Sequence, residues 1–328
     1  MTKLIPVMRC LIWVVLSAAV AAFCSGCAMR EITSVKPVRA PVALQTAEKT
    51  DLIDRYNQLA NSITSINASV TIQLTAGSSY SGVIEQYHEI NGFVLAQKPA
   101  DIRVIGQVPI VGKNIFDMES DGKVFHIFIP SKSQFLVGPA DLERPSSKPI
   151  ENLRPQHLTE AIFWEPISKG ELVLLEETAI PPSSFYILTI VRPAMPNGEA
   201  RSGGALGEDW EIARKVWFDR MGLDVVRIDN FDSGGKPTGI VRYSNWDMFD
   251  APAIPEGEPM GLLKNAEIHY PRQILLDRPQ NDYQLHLTIT KLTANETIAP
   301  DRFELLQPSG STIVHIGEAD QQRDEQEP

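Results

Sequence analysis

The spacing of apolar positions changes several times along the chain, and each change marks an element. Residues 10–23 are a run of apolar and small side chains, with no charge between Arg9 and Arg30. Further on, Leu52, Tyr56, Leu59, Ile63 and Ile66 follow one another at steps of 4, 3, 4 and 3, which places them on one side of a helix. Thr50 stands at an N-cap position, so the spacing predicts a helix over 51–66. The period then drops to two. Val70, Ile72 and Leu74 alternate with Ser69, Thr71 and Gln73, the mark of a strand with one buried face. Strand-like segments follow at 82–90, 92–98, 101–107, 114–120, 123–129 and 134–138. Gly77-Ser-Ser-Tyr-Ser-Gly82, Asn91-Gly92, Asp121-Gly122 and Pro130-Ser131 punctuate them as turns. Neighbours joined by so few residues are antiparallel, because a parallel pair needs a crossover of about a dozen.

A second helix is predicted over 155–164, with Pro155 at its first position and Leu158, Ile162 and Phe163 on its apolar side. Strand patterns resume at 171–176, 184–192, 211–219, 223–231, 238–246, 265–276 and 283–291. In the last of these Tyr283, Leu285, Leu287 and Ile289 alternate with Gln284, His286, Thr288 and Thr290. No internal repeat is visible. Many short antiparallel strands with two isolated helices predict an α+β fold, mainly antiparallel β, in which a curved, half-open β-barrel holds the helices in its mouth.

The N-terminal run reads as an export signal. A basic segment with Lys3 and Arg9 leads into the apolar stretch and then into Cys24-Ser25-Gly26-Cys27, the order of a secretory signal peptide. Its 14 apolar residues span about 21 Å as a helix, short of the roughly 30 Å hydrocarbon core. An uncleaved transmembrane anchor is the rival reading. The cysteines are Cys10, Cys24 and Cys27 alone, which excludes a disulfide-stapled domain. Cleavage between Gly26 and Cys27 leaves one thiol, at the new N-terminus, where it serves for attachment. These residues resemble a lipobox, with Cys24 where leucine is usual. The resemblance implies diacylglycerol on the Cys27 sulfur and a further acyl chain, hence palmitate-type lipidation, on its amine. Two or more chains anchor firmly. Ala28 rather than aspartate follows, which by the same resemblance directs the protein to the outer membrane, facing the periplasm.

Four regions result: a signal peptide at 1–26, a lipidated N-terminus and tether at 27–47, a folded domain at 48–317, and an acidic tail at 318–328. The mature chain holds 28 Lys+Arg against 41 Asp+Glu, a net −13, which disfavours nucleic acid and a polybasic grip on anionic lipid. No catalytic motif stands out. The six histidines are scattered with no His-Glu-x-x-His. The glycines form no nucleophile elbow, phosphate loop or dinucleotide fingerprint. Adjacent Glu176 and Glu177 on a strand point to opposite faces. The expectation is a non-enzyme without metal or cofactor.

Several segments in order are similar to the outer-membrane lipoprotein carrier and receptor family (LolA/LolB-like). They are Asn67-Ala-Ser-Val-Thr-Ile-Gln-Leu74, Lys98-Pro-Ala-Asp-Ile-Arg-Val-Ile-Gly106, Asp121-Gly-Lys-Val-Phe-His-Ile-Phe-Ile-Pro130, Val216-Trp-Phe-Asp-Arg-Met-Gly-Leu223, Phe231-Asp-Ser-Gly-Gly235 and Arg302-Phe-Glu-Leu-Leu-Gln-Pro-Ser-Gly310. The resemblance spans roughly residues 50–317, with extra residues near 193–209 and 247–264. It implies a curved sheet around an apolar cavity for acyl chains, with Val70, Ile72, Leu74, Leu285, Leu287 and Ile289 as candidate lining. It also implies a lipid- or client-contacting loop, matched here by Val108, Ile110 and Val111 between Gly106 and Gly112. A bend tucked into the core is the rival reading of that loop. The expected function is binding of acyl chains of lipoproteins or lipids in envelope handling. The alternative is a structural or accessory subunit of an envelope complex, with no lipid cargo.

Overall fold

The computed structural model describes residues 43–78, 83–140, 152–194, 210–250 and 267–316; the expected signal peptide, Cys27, most of the tether and the acidic tail lie outside them. The first helix, α1 (Lys49–Ser62), begins and ends earlier than its apolar stripe predicts. Glu48, not Thr50, caps it in a reciprocal box. The Glu48 side chain accepts from the backbone of Asp51, whose carboxylate accepts from the Glu48 N–H at 3.1 Å. The β-branched residues Ile63, Thr64 and Ile66 favour extended backbone, and the chain leaves the helix at Ile63 with φ −122°. The helix therefore buries Leu52, Tyr56 and Ala60, with Leu59 only partly covered.

The strands are β1 (Ser65–Ser78), β2 (Val83–Gln86), β3 (Ile90–Gln97), β4 (Asp101–Gln107), β5 (Asn114–Ser120), β6 (Val124–Ile129) and β7 (Gln134–Pro139). After helix α2 (Pro155–Ile162) come β8 (Leu172–Ile180), β9 (Ser183–Pro193), β10 (Trp210–Asp219), β11 (Val225–Phe231), β12 (Pro237–Asp250), β13 (Glu267–Arg278), β14 (Tyr283–Ala294) and β15 (Thr312–His315). Asn91-Gly92 is not a turn but lies inside β3. A Cβ on Gly92 would sit 2.8 Å from Ile72 Cδ1 and 2.9 Å from the Ile105 carbonyl, so this glycine makes room inside a strand.

All these strands join one sheet, ordered β15-β7-β6-β5-β4-β3-β1-β14-β13-β12-β11-β10-β9-β8, with β2 paired to β1. Two meanders meet at the centre. One runs outward from β1 to β7; the other starts at the far edge with β8 and runs back to β14, which pairs antiparallel with β1. The sheet must curve. Helix α2 contacts β4 and β5 on one side of the centre and β13 on the other. Five strand spacings separate β5 from β13, about 24 Å if flat, while a helix is roughly 10–12 Å across. The core lies on the concave side, where both helices pack against both meanders.

Beyond β14 the chain crosses the outer face of the first meander. Leu95, Ile298 and Phe303 form a separate small core there. Arg103 holds this strap by donating to the Arg302 and Glu304 carbonyls, each at 3.0 Å, while Asp117 accepts from its guanidinium at 3.0 and 2.9 Å. The strap ends as β15, parallel to β7.

Candidate functional site

The β4–β5 hairpin carries the apolar loop. The Val108 N–H donates to the Lys113 carbonyl at 2.9 Å and the Gly112 N–H to the Val108 carbonyl at 3.0 Å. Gly112 has φ +67° and Ile110 φ +72°. Val108, Ile110 and Val111 are 38%, 104% and 75% exposed, so the segment is no bend tucked into the core. A β-branched residue in the left-handed region is strained, at a cost of order 1–3 kcal/mol. Gly106 is not a turn hinge, since a Cβ there would meet the Phe116 ring at 2.4 Å. Thr71, Asn91 and Gln107 stand abreast across β1, β3 and β4. β1 continues past that level to pair with β2, so exposed Ile84 and Tyr87 lie toward the same end of the sheet as the tip.

The six candidate cavity residues come together as facing pairs on the two central strands: Val70 with Ile289, Ile72 with Leu287, and Leu74 with Leu285. Leu74 is half-buried. The other five are buried in the packed core that also holds α1 and α2.

Helix α2 fills the concave side. Pro155, His157, Leu158, Thr159, Ala161 and Ile162 are all buried. Tyrosines from the sheet fasten it. Tyr243 Oη donates to the Ala161 carbonyl at 2.9 Å, and Tyr270 Oη to the Ile162 carbonyl at 3.0 Å. At the other end Tyr283 Oη meets His157 Nδ1 at 2.5 Å. Burial pushes the Tyr56 phenol up to about 12 and raises those of Tyr243, Tyr270 and Tyr283, so all four keep their protons, and the three that fasten α2 remain donors.

A cavity of about 280 Å³ opens beside α2, lined by Tyr56, Phe163, Trp164, Arg192, Arg214 and Asn230 among others. That is just below the roughly 300–1,000 Å³ of typical ligand sites. Buried Arg214 dominates its polar wall. It donates to Glu171 at 3.1 and 3.3 Å and to the carbonyls of Glu165 and Pro166 at 3.3 and 3.4 Å, tying the α2–β8 connection to the sheet. Sequence reasoning missed Arg214. A register shift between Ile212 and Arg214 lets Ala213 and Arg214 both be buried, and alternation gives no sign of a bulge. A second hollow, about 330 Å³, lies under the strap between Asp101, Glu119, His126 and Glu304. Glu119 touches His126 there, and burial raises the Glu119 carboxyl. Among the described residues, no group of three or more His, Cys, Asp or Glu could hold a metal, and no helix is long and apolar enough to cross a membrane.

No protein-family model matches the chain, and no curated protein matches it. Solved structures resemble it distantly. A LolA superfamily protein from Nitrosomonas europaea is 12% identical with a TM-score of 0.42, the match covering 79% of this chain and 99% of that one. A DUF1329 family protein from Desulfovibrio piger is 13% identical with a TM-score of 0.44, covering 77% and 95%. A putative outer membrane lipoprotein-sorting protein domain from Vibrio parahaemolyticus is 8% identical with a TM-score of 0.41, covering 77% and 94%. Likeness this distant carries no function across, and a functional reading rests on this chain's own residues.

Proposed function

We propose that this chain is an envelope lipoprotein, anchored through Cys27 at the periplasmic side of the outer membrane, that engages acyl chains of a lipid or an acylated client through the tip at residues 108–111. The observation that carries the reading is Ile110, fully exposed at the end of a hairpin in a backbone conformation that an isoleucine avoids. Fully burying one Val or Ile side chain yields about 1.5–3 kcal/mol. A tip of three gives weak, reversible contact beside a permanent anchor. The inner face of β1 and β14 supplies apolar surface for a chain that enters once α2 or its connection moves.

A second reading, an accessory subunit without lipid cargo, is favoured by one feature. The concave side is filled, and buried tyrosines fasten α2 within it. Two variants test the proposal. In the full-length precursor, Cys27→Ser abolishes acyl labelling; equal labelling removes the anchor. In the signal-free Cys27→Ser form, Ile110→Glu leaves the melting temperature unchanged and abolishes flotation with phosphatidylcholine liposomes. Unchanged flotation sinks the lipid contact. Lipid in native mass spectra separates cargo binding from the accessory reading.

A further inference from the structure

The two edges of the sheet are treated differently. Beside β7 the chain lays its own four-residue strand, β15, reached by a strap that Arg103 fastens. A short edge strand is one of the usual protections against unwanted pairing. At the other edge β8 runs for nine residues, Leu172-Val-Leu-Leu-Glu-Glu-Thr-Ala-Ile180, and among the described residues it pairs only with β9. It has no Lys, Arg or Pro within it, and Leu172, Leu174, Leu175 and Ile180 are exposed. Beyond the β9 ladder, the described hydrogen bond to its backbone is from Lys49 Nζ to the Val173 carbonyl at 3.3 Å. A long apolar edge with open backbone groups is a template for an added strand.

The charges on β8 say which strand. Glu177 is in contact with Arg220. Glu176 is exposed, accepts only from the Thr189 hydroxyl at 3.0 Å, and has no cation within ion-pair distance among the described residues. Alternation puts Glu176 on one face with Leu172, Leu174, Thr178 and Ile180. A second copy of β8 is a poor fit, because antiparallel pairing over the full strand sets Glu176 against Glu176 and Leu175 against Glu177. Like charges directly opposite are unfavourable.

We infer that β8 is a strand-addition site for an extended segment of another polypeptide, one that sets a basic residue opposite Glu176 between apolar neighbours. Main-chain bonds supply the grip and the Glu176 pairing selects the register. This surface is independent of the lipid-contacting tip, so either can fail without the other.

The test uses the signal-free Cys27→Ser protein and two labelled nine-residue peptides of alternating valine and threonine, one with lysine and one with glutamate at the centre. The lysine peptide binds at least tenfold more tightly in fluorescence anisotropy and slows hydrogen exchange of the β8 amides. Glu176→Gln removes most of that preference. Leu174→Lys lowers affinity at least tenfold while the melting temperature holds, since Leu174 is 59% exposed. Absence of binding by either peptide overturns the inference, as does equal binding of both. Concentration-dependent dimerisation abolished by Leu174→Lys also overturns it, in favour of a second copy.

Discussion

At the scale of single residues, the sequence hides which glycines and which isoleucine are conformationally special. Gly92 and Gly106 look like turn formers yet sit in strands, where a Cβ would collide with Ile72 and with Phe116. Ile110 looks like an ordinary apolar residue yet takes a φ of +72°. Glycine reaches that region without steric cost. Ile110→Gly is therefore expected to raise stability by about 1 kcal/mol in urea unfolding, even though it removes a tip side chain. No gain would mean the native turn is relaxed with isoleucine in place. Exposure at 108–111 was half-legible: Pro109 between two glycines indicates a turn, but only the hairpin's position at the sheet end decides that it faces outward.

At the scale of elements, periodicity located β4 and β5 to the residue and most other strands to within a few positions. It placed α1 two residues late at its start and carried it into Ile63 and Ile66, because both are buried and period alone cannot tell a helix face from the strand that follows. It missed β15, four residues long, whose partner β7 lies far away in sequence. The fastening of α2 was illegible, since the tyrosines that hold its last carbonyls come from β12 and β13. Tyr270→Phe removes the donor to the buried Ile162 carbonyl at little change of volume. The expected loss is roughly 1–3 kcal/mol, read by denaturant unfolding. A loss below about 0.3 kcal/mol would show that this bond does not hold α2.

For the whole molecule, His157 couples stability to pH. Burial, then Arg278 and Arg154, hold its imidazole well below the ordinary 6.5, so it stays neutral in the fold and accepts from Tyr283. The unfolded chain takes up a proton near 6.5 that the fold refuses. Stability is then complete above about pH 6.5 and falls as pH drops below it, by at most about 1.4 kcal/mol per pH unit. Glu119, whose carboxyl burial raises, acts in the opposite sense at lower pH, so His157→Gln must be compared with its parent. The variant is expected to be less stable at pH 7.5 but to lose less between pH 6.5 and 5; parallel curves would reject the assignment. Local patterning by itself determined the strand periods, the antiparallel hairpins and the singular placement of Cys27, because each depends on neighbours in sequence. Only tertiary structure decided that β1 pairs with β14, that a bulge goes with Arg214 being buried, that the strap's β15 lies beside β7 and that β8 stands at the other edge of the described sheet. Those outcomes depend on contacts between residues far apart in the chain, where the packing of both helices against a curved sheet outweighs any local preference.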